Sequence, residues 1–308
     1  MEENKISRTA LGTAYIRAYH AINDTPRIFN DHLACHLLSG QERSAIEQTW
    51  AGYIKLADPV RAACCPDRAA ALAMSMRVMP TPSITLSRAR YTEDHLEEAV
   101  RQGVKQYVIL GAGLDTFAFR RRDLLERLQV FEVDHPAMQA FKRRRLAELG
   151  WELPAKLHFV PVDFTQDSLA AALMDASYDP KAMSFFSWLG VTYYLEPQAL
   201  FDTLRAIAGI APAGSLIIFD YLETDALIPE KSPGHIRAML DTIRRAGEPL
   251  VTGLDPSKLA EDLKSLGFAL QEDLGQADIE GRYFRDRQDG YHASKYAHLA
   301  LAAVQWQG

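Results

Sequence analysis

The chain has 308 residues, 48% of them hydrophobic and 24% charged, and a formal net charge of −6. That composition belongs to a folded globular protein, and the acidic balance disfavours a broad nucleic-acid surface. Cys35, Cys64 and Cys65 have neither metal-ligand spacing nor the makings of a disulfide scaffold, and no apolar run approaches the ~20 residues of a membrane span. A reducing, cytoplasmic location is therefore expected. The opening MEENKISRTA has no apolar signal core. Arginines cluster at 120–122 and 143–145, where they read as exposed helix ends rather than an RNA-binding patch.

Residues 7–103 read as helical. Ser7 can cap a segment that places Leu11, Tyr15 and Tyr19 on one face. Asn30 can cap a short helix through Leu38, before Gly40. Arg61–Met79 is rich in Ala and Met and reads as a packed helix ended by Pro80 and Pro82. A last helix, around Ala89–Val100, leads into the first strand. Residues 1–103 thus form a helical cap integral to the fold, ahead of a core at 104–308.

That core opens with VKQYVILGAGLDTFAFRR, residues 104–121. Val104–Leu110 is an apolar run of strand length that stops at Gly111-Ala112-Gly113 and resumes as a helix. A strand, a glycine turn and a helix N-terminus can cradle an anion or a nucleoside. Asp115 follows where the phosphates of a dinucleotide would lie, so it suits a ligand bearing an ammonium group or free hydroxyls. A second strand, Leu128–Val133, ends in Glu132 and Asp134, which share one face. Asp134 lies 21 residues beyond Gly113, near the ~20-residue spacing at which a carboxylate meets a ribose diol. Glu132 is the second choice. A third strand, His158–Val162, ends in Asp163-Phe164, a carboxylate and a ring suited to an adenine. Three such strand tips favour a nucleoside ligand.

The alternation continues. Ala182–Phe186 is the fourth strand, and Pro197 opens a helix running to Ile210. Ser215–Tyr221 is the fifth strand. Ile236–Ala246 reads as a lid helix within an insertion around 222–255, and Pro256–Leu266 as a further helix. Gly267-Phe268 starts the sixth strand, and His298–Gln305 is the seventh. This pattern predicts an α/β fold with a mostly parallel sheet and helices on both faces.

SRARY (87–91), YVILGAGLDTFAFR (107–120), VFEVDHP (130–136), VPVDF (160–164) and GVTYYLEP (190–197) carry a resemblance. The chain resembles class I S-adenosylmethionine-dependent methyltransferases of the leucine carboxyl methyltransferase and bacterial polyketide carboxyl O-methyltransferase group. The resemblance covers nearly the whole chain. It implies a Rossmann-like fold with a seven-stranded sheet in the order 3-2-1-4-5-7-6, the seventh strand antiparallel. It implies that Gly111 and Gly113 pass the methionine part of the cofactor and that Asp134 holds the ribose. It implies further that Asp163 and Phe164 hold the adenine, and that Arg88 or Arg90 meets the cofactor carboxylate, with Arg17 a weaker partner. The sequence departs from the group at Leu189, where a glutamate is usual.

A sulfonium methyl is already electrophilic, so the chemistry needs no metal and no covalent intermediate. The acceptor implied is the carboxylate of a small molecule or peptide, ionised at neutral pH and in no need of a base. None of the nine histidines sits in a base motif; His135 is nearest the cofactor edge. Tyr194, Arg282 and Tyr283 are the expected substrate orienters, with Trp188 and Arg285 beside them. The alternatives are a hydroxyl acceptor, a cofactor-binding protein without activity, and a nicotinamide oxidoreductase.

Overall fold

Gln106–Leu110 (β1) is buried along its whole length, as a strand covered on both faces must be. Tyr107 and Ile109 enter one apolar cluster, Val108 and Leu110 the opposite one, which is the two-residue period of a strand. The computed structural model describes residues 7–231, 234–245 and 247–305. It builds six further strands around β1: Gln129–Asp134 (β2), Leu157–Pro161 (β3), Ser184–Trp188 (β4), Leu216–Leu222 (β5), Phe268–Leu274 (β6) and Ala297–Val304 (β7). Their order is β3-β2-β1-β4-β5-β7-β6. The pairs from β3 through β5 are parallel, and β7 runs antiparallel to both β5 and β6. This is the expected order. The strand order reverses between β1 and β4, where an open α/β sheet leaves a crevice at its carboxyl ends.

The helices at 8–101 share a core with one face of this sheet. Ala14, Ile16, Met76, Leu86 and Leu96 belong to the same buried cluster as Tyr107 and Ile109. Ser7 caps the helix Arg8–Asn23 through Ala10 N, as its sequence predicts. Three other helical expectations shift. Asn30–Leu38 contains only a short turn, Ala34–Leu37, because Asp31 rather than Asn30 receives an amide, that of Ala34. Gly40 opens the helix Gly40–Trp50, with Ser39 and Glu42 forming a capping box. Arg61–Met79 divides at Asp67, which caps the helix Arg68–Val78. Pro80 then begins the 22-residue helix Pro80–Arg101 instead of ending its predecessor, since proline lacks the amide that a first turn would leave unpaired.

The insertion after β5 leaves and rejoins the core at one place. Glu223 bridges to Leu254, Thr224 N donates to Leu254 O (3.1 Å), and Leu254 N to Leu222 O (2.9 Å). Between these points lies the helix Gly234–Arg245; Ala246, the expected last residue of the lid helix, is outside the described residues. Among the described residues no helix is long and apolar enough to cross a membrane, and no cluster of His, Cys, Asp and Glu could hold a metal.

Candidate active site

The crevice at the carboxyl ends of the strands holds a cavity of about 400 Å³. Gly111 and Gly113, at φ +69° and +50°, turn the chain from β1 along its wall, in the left-handed region that favours glycine. A Cβ on Gly113 would lie 3.3 Å from Ala10 Cβ, so the first turn of the helix Arg8–Asn23 packs on this loop. Asp134 ends β2 and faces the cavity. Its Oδ2 accepts from Gly113 N (2.5 Å) and its Oδ1 from His135 N (2.7 Å). Burial pushes its pKa up, and these two amides oppose the shift. A carboxylate has about four acceptor positions, so each oxygen keeps one for a hydroxyl pair.

Asp163, Phe164 and Thr165 line the far end. Asp163 Oδ1 also accepts from Thr165 N (2.9 Å) and Thr165 Oγ1 (2.7 Å), shaping that loop. Ala112 and Asp115 border the cavity, and Asp115 Oδ1 accepts from Phe117 N (2.6 Å).

The helix Pro80–Arg101 presents Thr85, Arg88, Ala89 and Thr92 to the cavity. These positions fall at i, i+3, i+4 and i+7, one helical face. Thr85 and Thr92 are each 2% exposed, and their hydroxyls have no hydrogen-bond partner among the described residues. Buried hydroxyls are ordinarily bonded, so a wall with two unsatisfied ones fits a polar ligand. The stripe was visible in the sequence, but the expectation followed the arginines alone. Arg88 and Arg90 separate as two residues on a helix should. Arg88 is 7% exposed and donates through Nη1 to Asp220 (2.7 Å) and Tyr193 (3.1 Å). Burial works against its charge, but Asp220 holds it protonated. Arg90 points outward to Asp94 (2.9 Å). Arg17 borders the cavity, donating to Leu114 O (2.8 Å) and Asp31 (2.9 Å).

Four expected residues therefore do not reach the cavity: Arg90, Glu132, Arg282 and Tyr283. Glu132 lies within β2 at 1% exposure and pairs with Lys142 (2.5 Å). Two-residue alternation puts Glu132 and Asp134 on one face, but only the strand tip clears the sheet. Arg282 turns to Glu272 (2.8 Å) and the Tyr91 ring, because residues 280–284 continue a helical turn instead of forming an open loop. Neither it nor Tyr283 borders this cavity, and the same holds for Arg285 and the buried Trp188.

At Leu189 an apolar side chain lines the wall. The acid at this corner is Asp220 of β5, whose Oδ1 accepts from Gly190 N (2.6 Å) while Oδ2 holds Arg88. Gly190 is required there: its φ is +75°, and a Cβ would sit 2.5 Å from Arg88 Nη2.

Tyr194 borders both this cavity and a second one of about 1600 Å³, as do Thr9, Thr13, Arg88 and Glu248. Its hydroxyl lies 3.4 Å from Thr9 Oγ1. Burial pushes its pKa up to about 12, so it is neutral at physiological pH. Glu248, 239 residues from Thr9, accepts from Arg8 N (3.1 Å), Thr9 N (3.2 Å) and the Thr9 hydroxyl. It thus ties the end of the insertion to a helix N-terminus, which favours an anion. No local motif signals this pairing.

A sequence-family model described as leucine carboxyl methyltransferase matches residues 10–208. The chain is similar to the Bacillus subtilis protein YktD, whose name places it among S-adenosyl-L-methionine-dependent methyltransferases. The two are 35% identical over 305 residues, covering 98% of this chain and 99% of that protein. In fold it is similar to a DUF574-family protein from Streptomyces avermitilis, with TM-score 0.57 at 12% identity, covering 96% and 97% of the two chains. It is likewise similar to a Thermobifida fusca structure described as a methyltransferase, with TM-score 0.57 at 13% identity, covering 95% and 94%. The chain belongs to the leucine carboxyl methyltransferase family of S-adenosyl-L-methionine-dependent methyltransferases.

Proposed function

We propose that the protein transfers the methyl group to the carboxylate of a small molecule or peptide in the cytoplasm. The observation that carries this reading is the junction of the two cavities. Arg88 and Tyr194 offer hydrogen-bond donors there, and no histidine borders it among the described residues. Such a junction orients an acceptor that is already anionic.

S-adenosylmethionine, when bound, supplies a methyl group activated by its sulfonium centre. In this reading Asp134 accepts from the ribose hydroxyls, Asp163 and Phe164 border the adenine, and the Gly111–Gly113 turn with Arg88 or Arg17 holds the methionine end. A carboxylate oxygen of the acceptor attacks the methyl carbon in line, and the carbon–sulfur electron pair leaves with sulfur. The chain's own work is to fix that approach at ~3–3.5 Å and to exclude water. The neutral Tyr194 hydroxyl donates to the oxygen that does not react.

A hydroxyl acceptor is the second reading, and Glu248 favours it as the carboxylate that borders both cavities. Against it, Glu248 already receives two amides and a hydroxyl. The readings separate by pH. With saturating substrates and the chemical step rate-limiting, a carboxylate acceptor of pKa ~4 gives a flat kcat from pH 6 to 9. Its product releases methanol on mild alkaline hydrolysis. A rising profile with a hydrolysis-resistant product would overturn the carboxyl reading.

A further inference from the structure

The second cavity differs from the first in size and in charge. Its volume of about 1600 Å³ exceeds the ~300–1,000 Å³ of ordinary small-molecule sites. It lies between the helical cap, the insertion helix Gly234–Arg245 and the segment 290–296. Its wall is chiefly apolar, with Leu11, Ile46, Trp50, Ile84, Leu240 and Ile243 contributing. Leu56 stands on its border and is 63% exposed, an apolar side chain left at the opening of an apolar space.

The charge is inverted relative to the whole chain. In a protein of net charge −6, seven arginines and lysines among the described residues border this cavity against two carboxylates, Glu42 and Glu248. Both carboxylates are engaged, Glu42 with Arg145 (2.8 Å) and Glu248 with the helix N-terminus. Arg77 and Arg88 are likewise paired with Asp24 and Asp220, and Lys231 and Arg61 with Asp225 and Asp58. Arg8, Lys55 and Lys295 are exposed and have no carboxylate partner among the described residues. Lys55 and Lys295 border only the second cavity, away from the junction with the first.

Resting on the carboxyl reading above, we infer that the acceptor is a large apolar acid with a second anionic group. Its body fills the cavity beneath the insertion helix, one carboxylate lies at Arg88 and Tyr194, and a further carboxylate or phosphate meets the cations at the mouth. Cations at a rim act on encounter and selection more than on depth of binding.

The test uses full-length protein saturated with S-adenosylhomocysteine for calorimetric binding, and S-adenosylmethionine for product analysis. The probes are acetate, octanoate, hexadecanoate, hexadecanedioate and an ω-phosphono acid of the same length. Affinity should rise about threefold to fourfold per methylene added between octanoate and the longest chain the cavity takes. The two doubly anionic probes should bind about tenfold more tightly than hexadecanoate, and whichever is preferred identifies the second group. Lys55→Glu should abolish that preference. Leu240→Trp should weaken long acids about tenfold while S-adenosylhomocysteine binds as before, which also shows that the variant is folded. Methyl esters formed from acetate as readily as from hexadecanoate would overturn the inference and leave the carboxyl reading intact. Failure of every long acid to bind would overturn it as well. Long acids that bind without forming esters would support the ligand class and overturn the carboxyl reading.

Discussion

At the tips of β1 and β2 the half of the crevice proposed for the cofactor is held by main chain. The glycine turn, the amides of Gly113 and His135 and the end of a parallel strand hold Asp134. Across the junction the half proposed for the acceptor is held by side chains from distant stretches. Thr9 meets Tyr194 across 185 residues and Glu248 across 239, and the insertion is anchored on the first turn of one helix. The first half tolerates little because strand geometry is shared by every neighbour. The second can be loosened one contact at a time.

The largest effect expected falls beneath the main-chain half. Lys142→Met leaves Glu132 buried without its cation, which should cost about 3–5 kcal/mol of stability at neutral pH. Burial holds the Glu132 pKa above its ordinary 4.5 in the fold, against the attraction of Lys142. The native chain therefore keeps a proton that the unfolded chain has lost. Its stability falls as pH rises from about 4.5 through the raised value, and that slope disappears in Glu132→Gln, which has no proton to titrate. Urea titration at several pH values checks both, and a variant as stable as the parent would show that the pair is dispensable.

Asp134→Ala strands the amides of Gly113 and His135, which should cost less stability, about 1–3 kcal/mol, and it should weaken S-adenosylhomocysteine binding roughly tenfold to a hundredfold, the equivalent of about 1.5–3 kcal/mol. Calorimetry measures it, and unchanged affinity in a folded variant removes the ribose assignment. Two acids on one strand would then be told apart, one by folding and the other by binding.

The acceptor half responds more weakly. Glu248→Gln keeps the shape of the side chain but replaces one acceptor oxygen and removes the charge, so the contact should lose about 1 kcal/mol. Amide exchange at residues 8–10 and 251–254 should quicken about fivefold, with little change around 106–113. Uniform quickening across the sheet would show that the two halves are not separable. The smallest effect belongs to Arg90. Its exposed pair with Asp94 is worth ~0.3–0.5 kcal/mol, so Arg90→Lys should shift cofactor affinity by less than twofold, while Arg88→Lys, losing the guanidinium nitrogen shared by Asp220 and Tyr193, should shift it at least tenfold.

The contrast also sets what could be read from the chain. All seven strands were legible, six as short apolar runs ended by a turn or a polar tip and the mixed β6, FALQEDL, from the Gly267-Phe268 that opens it. Strand order came with the resemblance, since no single stretch records its neighbours. Gly111, Gly113 and Asp134 were legible because the unit that carries them is continuous. Helix ends were harder: Pro80 read as a stop although it is a start, and only its position relative to the next turn decides which. Glu132 misled because strand period fixes the face of a side chain but not how far along the strand the sheet ends. Thr9, Asp220 and Glu248 were out of reach, since each acquires its meaning from a partner more than a hundred residues away.

The neck of the insertion has a consequence for how the protein's selectivity changes over generations. Leu222 and Leu254 are joined directly, and Gly253 crosses Thr224 so closely that an added Cβ would fall 2.6 Å from its Cα. The described residues between 225 and 252 pair with none of the seven strands, and beyond that crossing they are tied back by Glu248 to Thr9 and by Val251 to Tyr193. Doubling the length of such a loop costs only ~0.6 kcal/mol in closure entropy. Lengthening, shortening or exchanging the insertion therefore redraws the second cavity while the seven strands and the glycine turn are inherited unchanged, with Gly253 as the residue that any replacement must keep.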